Sequence, residues 1–241
     1  MSVEARPDAS DLSARAAEVL GRVERAARRA GRDPAGVRLV AVSKTHPAAL
    51  VREAAAAAGL RDFGENRVQE AEAKAGELKD VPGMRWHLIG HLQPNKARKA
   101  ARLFDLIHTV DTAALAERLE RICVEEGRER LEVLAQVDLA GEATKSGATE
   151  GELPALFEAF GRCTRVRCRG LMILPPFFEE AEQVRPFFRR LRGVRDEWGA
   201  RGAFGGEGGE LSMGMSHDYE VAVEEGATLV RVGTSLFGRR G

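Results

Sequence analysis

Residues 37–44 read VRLVAVSK, a short and nearly continuous apolar run that ends in a serine and a lysine. Runs of this kind are typical of parallel strands that are covered on both faces. A turn at residues 31–34, GRDP, precedes the run, and an Ala-rich helical segment beginning at Pro47 follows it. The stretch therefore predicts the first strand of an α/β protein, followed at once by a helix.

The same pattern of a short apolar run and a helical segment recurs along the chain. It predicts eight strands, at residues 37–43, 62–64, 84–89, 103–108, 132–137, 166–173, 210–212 and 228–232. Eight such units suit the α/β class and its TIM (β/α)8 barrel, which typically takes about 250 residues. A doubly wound sheet is the alternative, but it usually has fewer strands and a Gly-rich first turn, whereas residues 43–47 read SKTHP. We therefore predict a single-domain TIM barrel.

The segment before the first strand predicts an additional N-terminal helix. Apolar residues recur at helical spacing between residues 11 and 30, among arginines and glutamates. A helix with one apolar face must bury that face against something larger. We predict an N-terminal helical extension at residues 1–35, packed on a barrel that comprises residues 36–241.

Composition excludes several classes of function. The chain has 37 Lys+Arg and 37 Asp+Glu, and this balance argues against nucleic-acid binding, which needs an excess of positive charge. Its apolar stretches, such as AAAAA at 54–58, fall far short of the roughly 20 residues of a membrane span. The N-terminus lacks the pattern of a secretory signal, and the three cysteines form no CxxC pair. We expect a cytoplasmic protein with no nucleic-acid or membrane partner.

Lys44 directly follows the first predicted strand, at the end of the barrel where active sites lie. A lysine in an apolar barrel mouth is partly desolvated, which favours its neutral amine and makes it a nucleophile toward carbonyl groups. An ordinary surface lysine at the start of a helix is the alternative. Position alone leaves both interpretations open.

The end of the eighth strand predicts a phosphate site. Its sequence VGTSLFG (232–238) places backbone N–H groups at Gly233 and Thr234 before a short helix, an arrangement that favours anions. TIM barrels often hold phosphates after strands seven and eight, and strand seven ends nearby in LSMGMS (211–216). A simple Ser/Thr helix cap explains either end alone, but two such ends side by side favour phosphate binding.

Two further sets of polar residues lie on predicted strands. Arg231 is embedded in the eighth strand and needs partners, because burying an unpaired charge is costly. It is expected either to bond a ligand ring or carboxylate, or to form a structural ion pair across the barrel. His87 and His91 suggest a metal, but no third ligand follows at a recognisable spacing, so we predict no metal site.

Six motifs of the chain resemble the YggS/PROSC family, the pyridoxal phosphate homeostasis proteins. They are AVSKTHP (41–47), FGENRVQE (63–70), WHLIGHLQPNK (86–96), TKSG (144–147), GLMIL (170–174) and LSMGMSHDYEVAVEEGATLVRVGTSLFG (211–238). The motifs follow the expected order and cover nearly the whole chain. The resemblance implies the barrel of the alanine racemase N-terminal domain without the second, β-rich domain of the racemase.

The resemblance also implies a cofactor, pyridoxal 5′-phosphate (PLP), and a set of residues that bind it. Lys44 would hold PLP as a Schiff base, Arg231 would face the pyridine nitrogen, and Asn66 would line the ring. Three residues of the last two strands would bind the phosphate: Ser212, Gly233 and Thr234. The resemblance implies no catalytic residue and no metal ligand.

We expect a carrier that buffers and delivers PLP in the cell, without a robust catalytic activity. Two-base racemisation needs an acid–base group on each face of the substrate carbon. The resemblance supplies Lys44 for one face, but the tyrosine of the racemase's second domain has no counterpart. The single tyrosine here, Tyr219, lies in the motif after strand seven. An arginine at the pyridine nitrogen would also weaken the ring as an electron sink.

The expected partners are PLP, related B6 vitamers and PLP-dependent apo-enzymes. The chain is expected to be a monomer, because the domain that carries the racemase's dimer contacts is missing. Two alternatives remain: a PLP-dependent amino-acid enzyme resembling a racemase, and a Schiff-base lysine aldolase that acts on a phosphorylated substrate.

Overall fold

Eight parallel strands pair in chain order and close into a barrel in the computed structural model, which describes residues 9–141, 146–206 and 208–238. The strands β1 to β8 are Arg38–Val42, Asp62–Glu65, Arg85–Leu88, Leu106–Val110, Leu131–Val137, Val166–Ile173, Glu210–Met215 and Leu229–Val232. The pairing of β1 with β8, in the register Arg38 with Leu229 and Ala41 with Val232, closes the sheet. This closure confirms the TIM barrel and excludes the open doubly wound sheet.

Helices follow the strands and cover the outside of the barrel. Within the described residues, α1 to α9 are Ala9–Arg29, Ala48–Ala57, Val68–Glu77, Ala97–Leu103, Ala113–Glu125, Leu153–Arg162, Arg185–Ala200, Tyr219–Glu224 and Thr234–Phe237. The buried apolar side chains of the helices join the outward-facing side chains of the strands in one cluster, as their helical spacing predicts. No helix in this part of the chain is long and apolar enough to cross a bilayer.

The additional N-terminal helix is confirmed as α1, which packs against α2, α8 and α9. Its apolar side chains, among them Leu12, Val19 and Val23, are buried in the same cluster as the outward-facing side chains of the strands. The helix is thus continuous with the core of the barrel. The division of the chain at residue 35 stays a prediction.

The barrel interior has its own, smaller set of buried side chains. Successive residues of a strand point to opposite faces, so each strand contributes every second side chain to the interior. A separate apolar cluster, Val40, Leu106, Leu134, Met172 and Leu229, fills part of that space. Polar residues from β2, β3, β4, β7 and β8 fill another part.

The predicted strands overlap the observed ones, with two informative differences. Strand β4 begins at Leu106 rather than at residue 103, because Leu103 is the last residue of α4 and Phe104 is buried as its C-cap. Strand β7 runs to Met215 rather than to residue 212. The longer β7 places Ser212 inside the strand instead of at its end.

Candidate functional site

A cavity of about 470 Å³ opens at the carboxyl ends of the strands. Residues that follow or end β1, β2, β3, β6, β7 and β8 line it. Five of the six predicted binding residues are among them: Lys44, Asn66, Arg231, Gly233 and Thr234. The volume lies within the roughly 300–1,000 Å³ of small-molecule sites, and the position is that of TIM-barrel active sites.

A larger cavity, of about 750 Å³, lies at the opposite end of the barrel, between α6 and α7. Trp198, Arg201 and Phe204 are among the residues that line it, and none of the predicted binding residues does. Active sites of this fold lie at the carboxyl ends of the strands, so we take the smaller cavity as the functional site.

Lys44 follows β1 at the rim of the cavity and is half-buried. The next residue, Thr45, has a φ of 68°, in the left-handed region that β-branched residues rarely adopt. The main-chain N–H of Thr45 donates to the carboxylate of Glu70 on α3. Strained backbone persists only where surrounding contacts hold it, so Glu70 holds the turn that carries Lys44.

A buried cluster of charges supports this turn. The Nζ atom of Lys74 on α3 donates to the carbonyl oxygen of Ser43, to Glu65 and to Glu70, at 2.7, 2.7 and 2.8 Å. The hydroxyl of Ser43 also donates to Glu65 Oε1, at 2.6 Å. Burial raises the pKa of Glu65 despite these donors, whereas hydrogen bonds from Lys74 and Thr45 outweigh burial and lower the pKa of Glu70.

Asn66 follows β2 and packs tightly against the loop after β3. A Cβ atom added to Gly90 would lie 2.4 Å from the carbonyl oxygen of Asn66 and 2.8 Å from its Cα. Only glycine permits this approach of the two backbones. The glycine of the HLIGH segment therefore fixes the position of Asn66 at the cavity.

Arg231 is 2% exposed and points from β8 into the upper barrel interior. Its Nη1 donates to the hydroxyl of Ser212 at 2.6 Å, and its Nη2 donates to the carbonyl oxygen of Ile173 at 2.8 Å. Burial lowers the pKa of Arg231 to about 10, and the nearby charge of Asp218 opposes this shift. The guanidinium is thus cationic at neutral pH and acts only as a donor.

Backbone and hydroxyl donors meet at the ends of β7 and β8. The N–H groups of Gly233 and Ser235 donate to the hydroxyl oxygen of Ser216, at 3.1 and 3.4 Å. Ser216, Gly233 and Thr234 line the cavity. N–H and O–H donors suit a phosphate, and no carboxylate is among the described residues that line the cavity.

Ser212 lies below the cavity, inside the barrel. Its buried hydroxyl contacts His108 Nδ1 at 2.8 Å and accepts the hydrogen bond from Arg231. It is not among the residues that line the cavity. The role of Ser212 as a phosphate ligand stays a prediction. Ser216, rather than Ser212, lines the cavity beside Gly233 and Thr234.

The two histidines considered as metal ligands lie apart. His87 is buried in the barrel interior, where it contacts Asp62 and His108, whereas His91 lines the cavity and contacts Ser146. Over residues 9–141, 146–206 and 208–238, no group of three or more His, Cys, Asp or Glu could hold a metal ion. Thr144 and Lys145 of the TKSG motif lie outside the described residues.

Further cavity residues were missed from the sequence. His46 follows β1 by four residues and His217 follows Ser216 after β7, and both line the cavity. Phe177, after β6, lines the rim and is largely exposed. All three residues lie just beyond the end of a strand, where residues of a barrel site are expected. The sequence did not locate these strand ends exactly enough to identify them.

The arrangement fits PLP in the chemistry of its donors and in its size. An amine, a buried guanidinium and a group of N–H and O–H donors line one cavity of about 470 Å³. These groups correspond to an aldehyde, a ring nitrogen that accepts hydrogen bonds, and a phosphate. Asn66, held by Gly90, lies at the same cavity and can contact the ring.

Comparisons with known proteins give consistent matches. Residues 17–241 match the family model of the alanine racemase N-terminal domain. The chain is 49% identical to the pyridoxal phosphate homeostasis protein of Pseudomonas aeruginosa over 231 residues, which are 96% of each chain. It is 43% identical to that of Aquifex aeolicus, over 94% of this chain and 97% of the relative.

Solved structures agree with these matches. PipY of Synechococcus elongatus with PLP bound is 47% identical, with a TM-score of 0.78, and the match covers 90% of this chain and 100% of PipY. Alanine racemase of Corynebacterium glutamicum is 20% identical, with a TM-score of 0.63, over 93% of this chain and 61% of the racemase. The second likeness shows a common fold alone.

Proposed function

The chain belongs to the family of the alanine racemase N-terminal domain and within it to the pyridoxal phosphate homeostasis proteins, and on this premise we propose that it binds PLP and serves as a PLP carrier. One observation carries the proposal: Lys44, Arg231 and the Gly233–Thr234 turn line a single cavity at the barrel mouth. A relative with 47% identity, PipY, has been solved with PLP bound.

Different residues of the cavity bind different parts of the cofactor. PLP supplies an aldehyde, which condenses with an amine with loss of one water, and an electron-accepting ring. Lys44 provides the amine, and its turn is held by Glu70. The donors around Ser216 and Gly233 would hold the phosphate. Arg231, a donor only, would donate to the ring nitrogen and so favour its unprotonated form.

Buffering and delivery, rather than catalysis, agree with the position of Tyr219. This single tyrosine is 1% exposed, its hydroxyl has no hydrogen-bond partner among the described residues, and Arg22 of α1 lies over its ring. It does not line the cavity. A tyrosine in this place cannot serve as the second acid–base group that two-base racemisation needs.

One observation favours the racemase-like alternative. His46, His91 and His217 line the cavity, and an imidazole is a common acid–base group. Incubating the PLP-loaded protein with L-alanine and D-alanine tests this alternative. We expect no inversion above that of free PLP at the same concentration. Inversion that the His91→Ala, His46→Ala or His217→Ala change abolishes would establish the enzyme and overturn the carrier.

The aldolase alternative predicts that Lys44 carries no chromophore in the purified protein, whereas a carrier predicts a protein-bound chromophore. The decisive experiment is borohydride reduction of the PLP-loaded protein, followed by peptide mass analysis. We expect the reduced adduct on Lys44 and its loss in Lys44→Ala. The matched control is Lys99→Ala, which removes an exposed lysine paired with Glu72 and should leave the adduct in place. An adduct on another lysine in the wild type would contradict the proposal.

The proposal includes a monomer in a reducing, cytoplasmic location, with PLP-dependent apo-enzymes as recipients. The three cysteines are free and buried, and burial raises the pKa of Cys163 to about 11 and of Cys168 to about 12. Such thiols are poorly reactive and need no disulfide. Light scattering of the loaded and unloaded protein tests the monomer, and a dimer in either state would contradict it.

A further inference from the structure

A line of five polar side chains crosses the barrel interior from β2 to β8; we call it the interior network. Asp62 Oδ1 lies 2.8 Å from His87 Nε2, and His87 Nδ1 lies 3.0 Å from His108 Nε2. His108 Nδ1 lies 2.8 Å from Ser212 Oγ, which accepts from Arg231 Nη1 at 2.6 Å. All five side chains are buried, and each comes from a different strand.

The two ends of the interior network fix the direction of its hydrogen bonds. A guanidinium only donates and a carboxylate only accepts, so Arg231 donates to Ser212 and Asp62 accepts from His87. With neutral imidazoles, Ser212 then donates to His108 Nδ1. His108 in turn must carry its hydrogen on Nε2. His87 donates to Asp62 from Nε2 and therefore carries its hydrogen on that atom.

Burial and the neighbouring groups favour a neutral His108. Burial is the main cause that holds the pKa of His108 well below the usual value, and the neighbours His87 on β3, Arg231 on β8 and Arg38 of β1 act in the same direction. Burial alone would raise the pKa of Asp62, but hydrogen bonds from His87 and Arg85 outweigh it and lower the pKa. Asp62 is therefore the ionised acceptor at the far end.

Arg231 has no carboxylate in hydrogen-bond contact in the described part of the chain, although it is almost fully buried. A buried charge without compensation is costly, and linked hydrogen bonds polarise one another. The interior network connects the guanidinium to Asp62 through three uncharged groups. The bond to Ser212 uses one of the two hydrogens of Arg231 Nη1, so the second remains for a hydrogen bond in the cavity.

We propose that Asp62, His87, His108 and Ser212 are positioning residues that set the orientation of Arg231 toward the ring of the cofactor. This assignment rests on the proposed function for its ligand, but the hydrogen-bond direction is a property of the protein alone. If these four residues only filled space, any side chain of similar volume would serve in their place. A positioning role requires that each donor and acceptor be kept.

The first test uses the protein without cofactor. Its one variant serves only to assign the histidine signals. Two-bond 1H–15N spectra of the 15N-histidine-labelled protein report the tautomer of each of its five histidines. The His108→Gln variant identifies the His108 signals by their loss. From the direction of the hydrogen bonds, we expect His87 and His108 each to carry a hydrogen on Nε2 and none on Nδ1. A cationic ring, or a hydrogen on Nδ1, in either residue would overturn the inference.

The second test compares PLP binding by matched variants. His108→Leu breaks the interior network, whereas His108→Gln offers an amide oxygen to Ser212 and an amide N–H to His87. Met172→Leu alters the apolar part of the interior and is the control. We expect about tenfold weaker PLP binding and a shifted absorption maximum in His108→Leu, since losing one buried partner costs on that order. His108→Gln and Met172→Leu should keep the wild-type spectrum and affinity.

The outcomes separate this inference from the proposed function. A wild-type protein that binds no PLP would overturn the proposed function, and the spectra of the unloaded protein would still decide the direction of the interior network. PLP binding that is equal in the His108→Leu and His108→Gln variants would overturn the positioning role and leave the carrier intact. If His108→Leu does not fold, Ser212→Ala, which removes the direct partner of Arg231, takes its place with the same expected loss.

Discussion

The side-chain nitrogen of Lys74 lies 2.7 Å from the main-chain oxygen of Ser43, the residue immediately before Lys44. The same nitrogen donates to Glu70, which accepts the main-chain N–H of Thr45, the residue immediately after Lys44. One buried ammonium group thus holds the main chain on both sides of the proposed PLP lysine, directly on one side and through Glu70 on the other. Helix α3 therefore positions Lys44 as much as β1 does.

Replacing Lys74 should destabilise the protein strongly. Lys74→Met leaves Glu65 and Glu70 without their common partner, and breaking a buried ion pair costs about 3–5 kcal/mol. Urea unfolding measures the loss. Lys99→Met removes an exposed lysine that pairs with Glu72, and should cost less than about 1 kcal/mol. Equal losses in the two variants would mean that the cluster does not hold the turn.

The contribution of Glu70 to stability should depend on pH in one direction. Its pKa lies below the ordinary value of 4.5, because hydrogen bonds from Lys74 and Thr45 outweigh the effect of burial. The stability from a lowered acid pKa is present above the unfolded value and is lost as pH falls through the folded value. The difference in unfolding free energy between wild type and Glu70→Gln should hold between about pH 7 and about pH 5 and shrink below that. A difference that grows with acid would contradict this explanation.

The close approach of Gly90 to Asn66 should make Gly90→Ala harmful. The added methyl group must displace the backbone of Asn66, and overpacking typically costs about 1–3 kcal/mol. We expect lower stability and weaker PLP binding. Gly76→Ala on α3 adds a methyl group that meets no atom within 4 Å, and it should be neutral or slightly stabilising. A PLP affinity equal in both variants would show that the position of Asn66 is irrelevant to the ligand.

Ser216 and Ser212 can be told apart with pyridoxal, which lacks the phosphate. Ser216→Ala should weaken PLP binding by roughly three- to tenfold and leave pyridoxal binding unchanged, since only the phosphate loses a donor. Ser212→Ala should weaken both ligands alike, because it acts through Arg231. Absorbance titrations measure all four affinities. A loss confined to PLP in Ser212→Ala would restore Ser212 as the phosphate ligand.

Helix α1 should contribute to the core as an integral element. Leu12 is fully buried in the cluster that the barrel strands share, so Leu12→Ala should cost about 2–5 kcal/mol. Leu20, on the same helix, is 42% exposed, and Leu20→Ala should cost about 0.5 kcal/mol or less. Similar small effects in both variants would instead indicate a loosely attached extension.

Much of the fold could be predicted from local patterns alone. Eight apolar runs with helices between them predict the barrel, and the rule that sites lie at carboxyl strand ends brings Lys44, Asn66 and Gly233 together. The errors arose where a strand end was misjudged. Apolar residues at 103 and 104 belong to a helix end, and a polar residue in β7, Ser212, was taken as its end.

The contacts inside the barrel could not be predicted. Alternation shows which side chains of one strand point inward, but contacts such as that of His87 with His108 or of His108 with Ser212 depend on stagger and tilt across the closed sheet. The contacts of Lys74 could not be predicted either, because its position in α3 suggests an exposed lysine. The interior network joins residues that are distant in sequence, and so does the bond of Lys74 to Ser43.

The pairing of β1 with β8 has a consequence for how the protein is made. Lys44 leaves the ribosome early, whereas Arg231, Gly233 and Thr234 emerge almost two hundred residues later. A nascent polypeptide thus displays the proposed PLP lysine well before the proposed phosphate donors exist. The proposed site is consequently complete only in the finished molecule, after β8 has closed the barrel against β1.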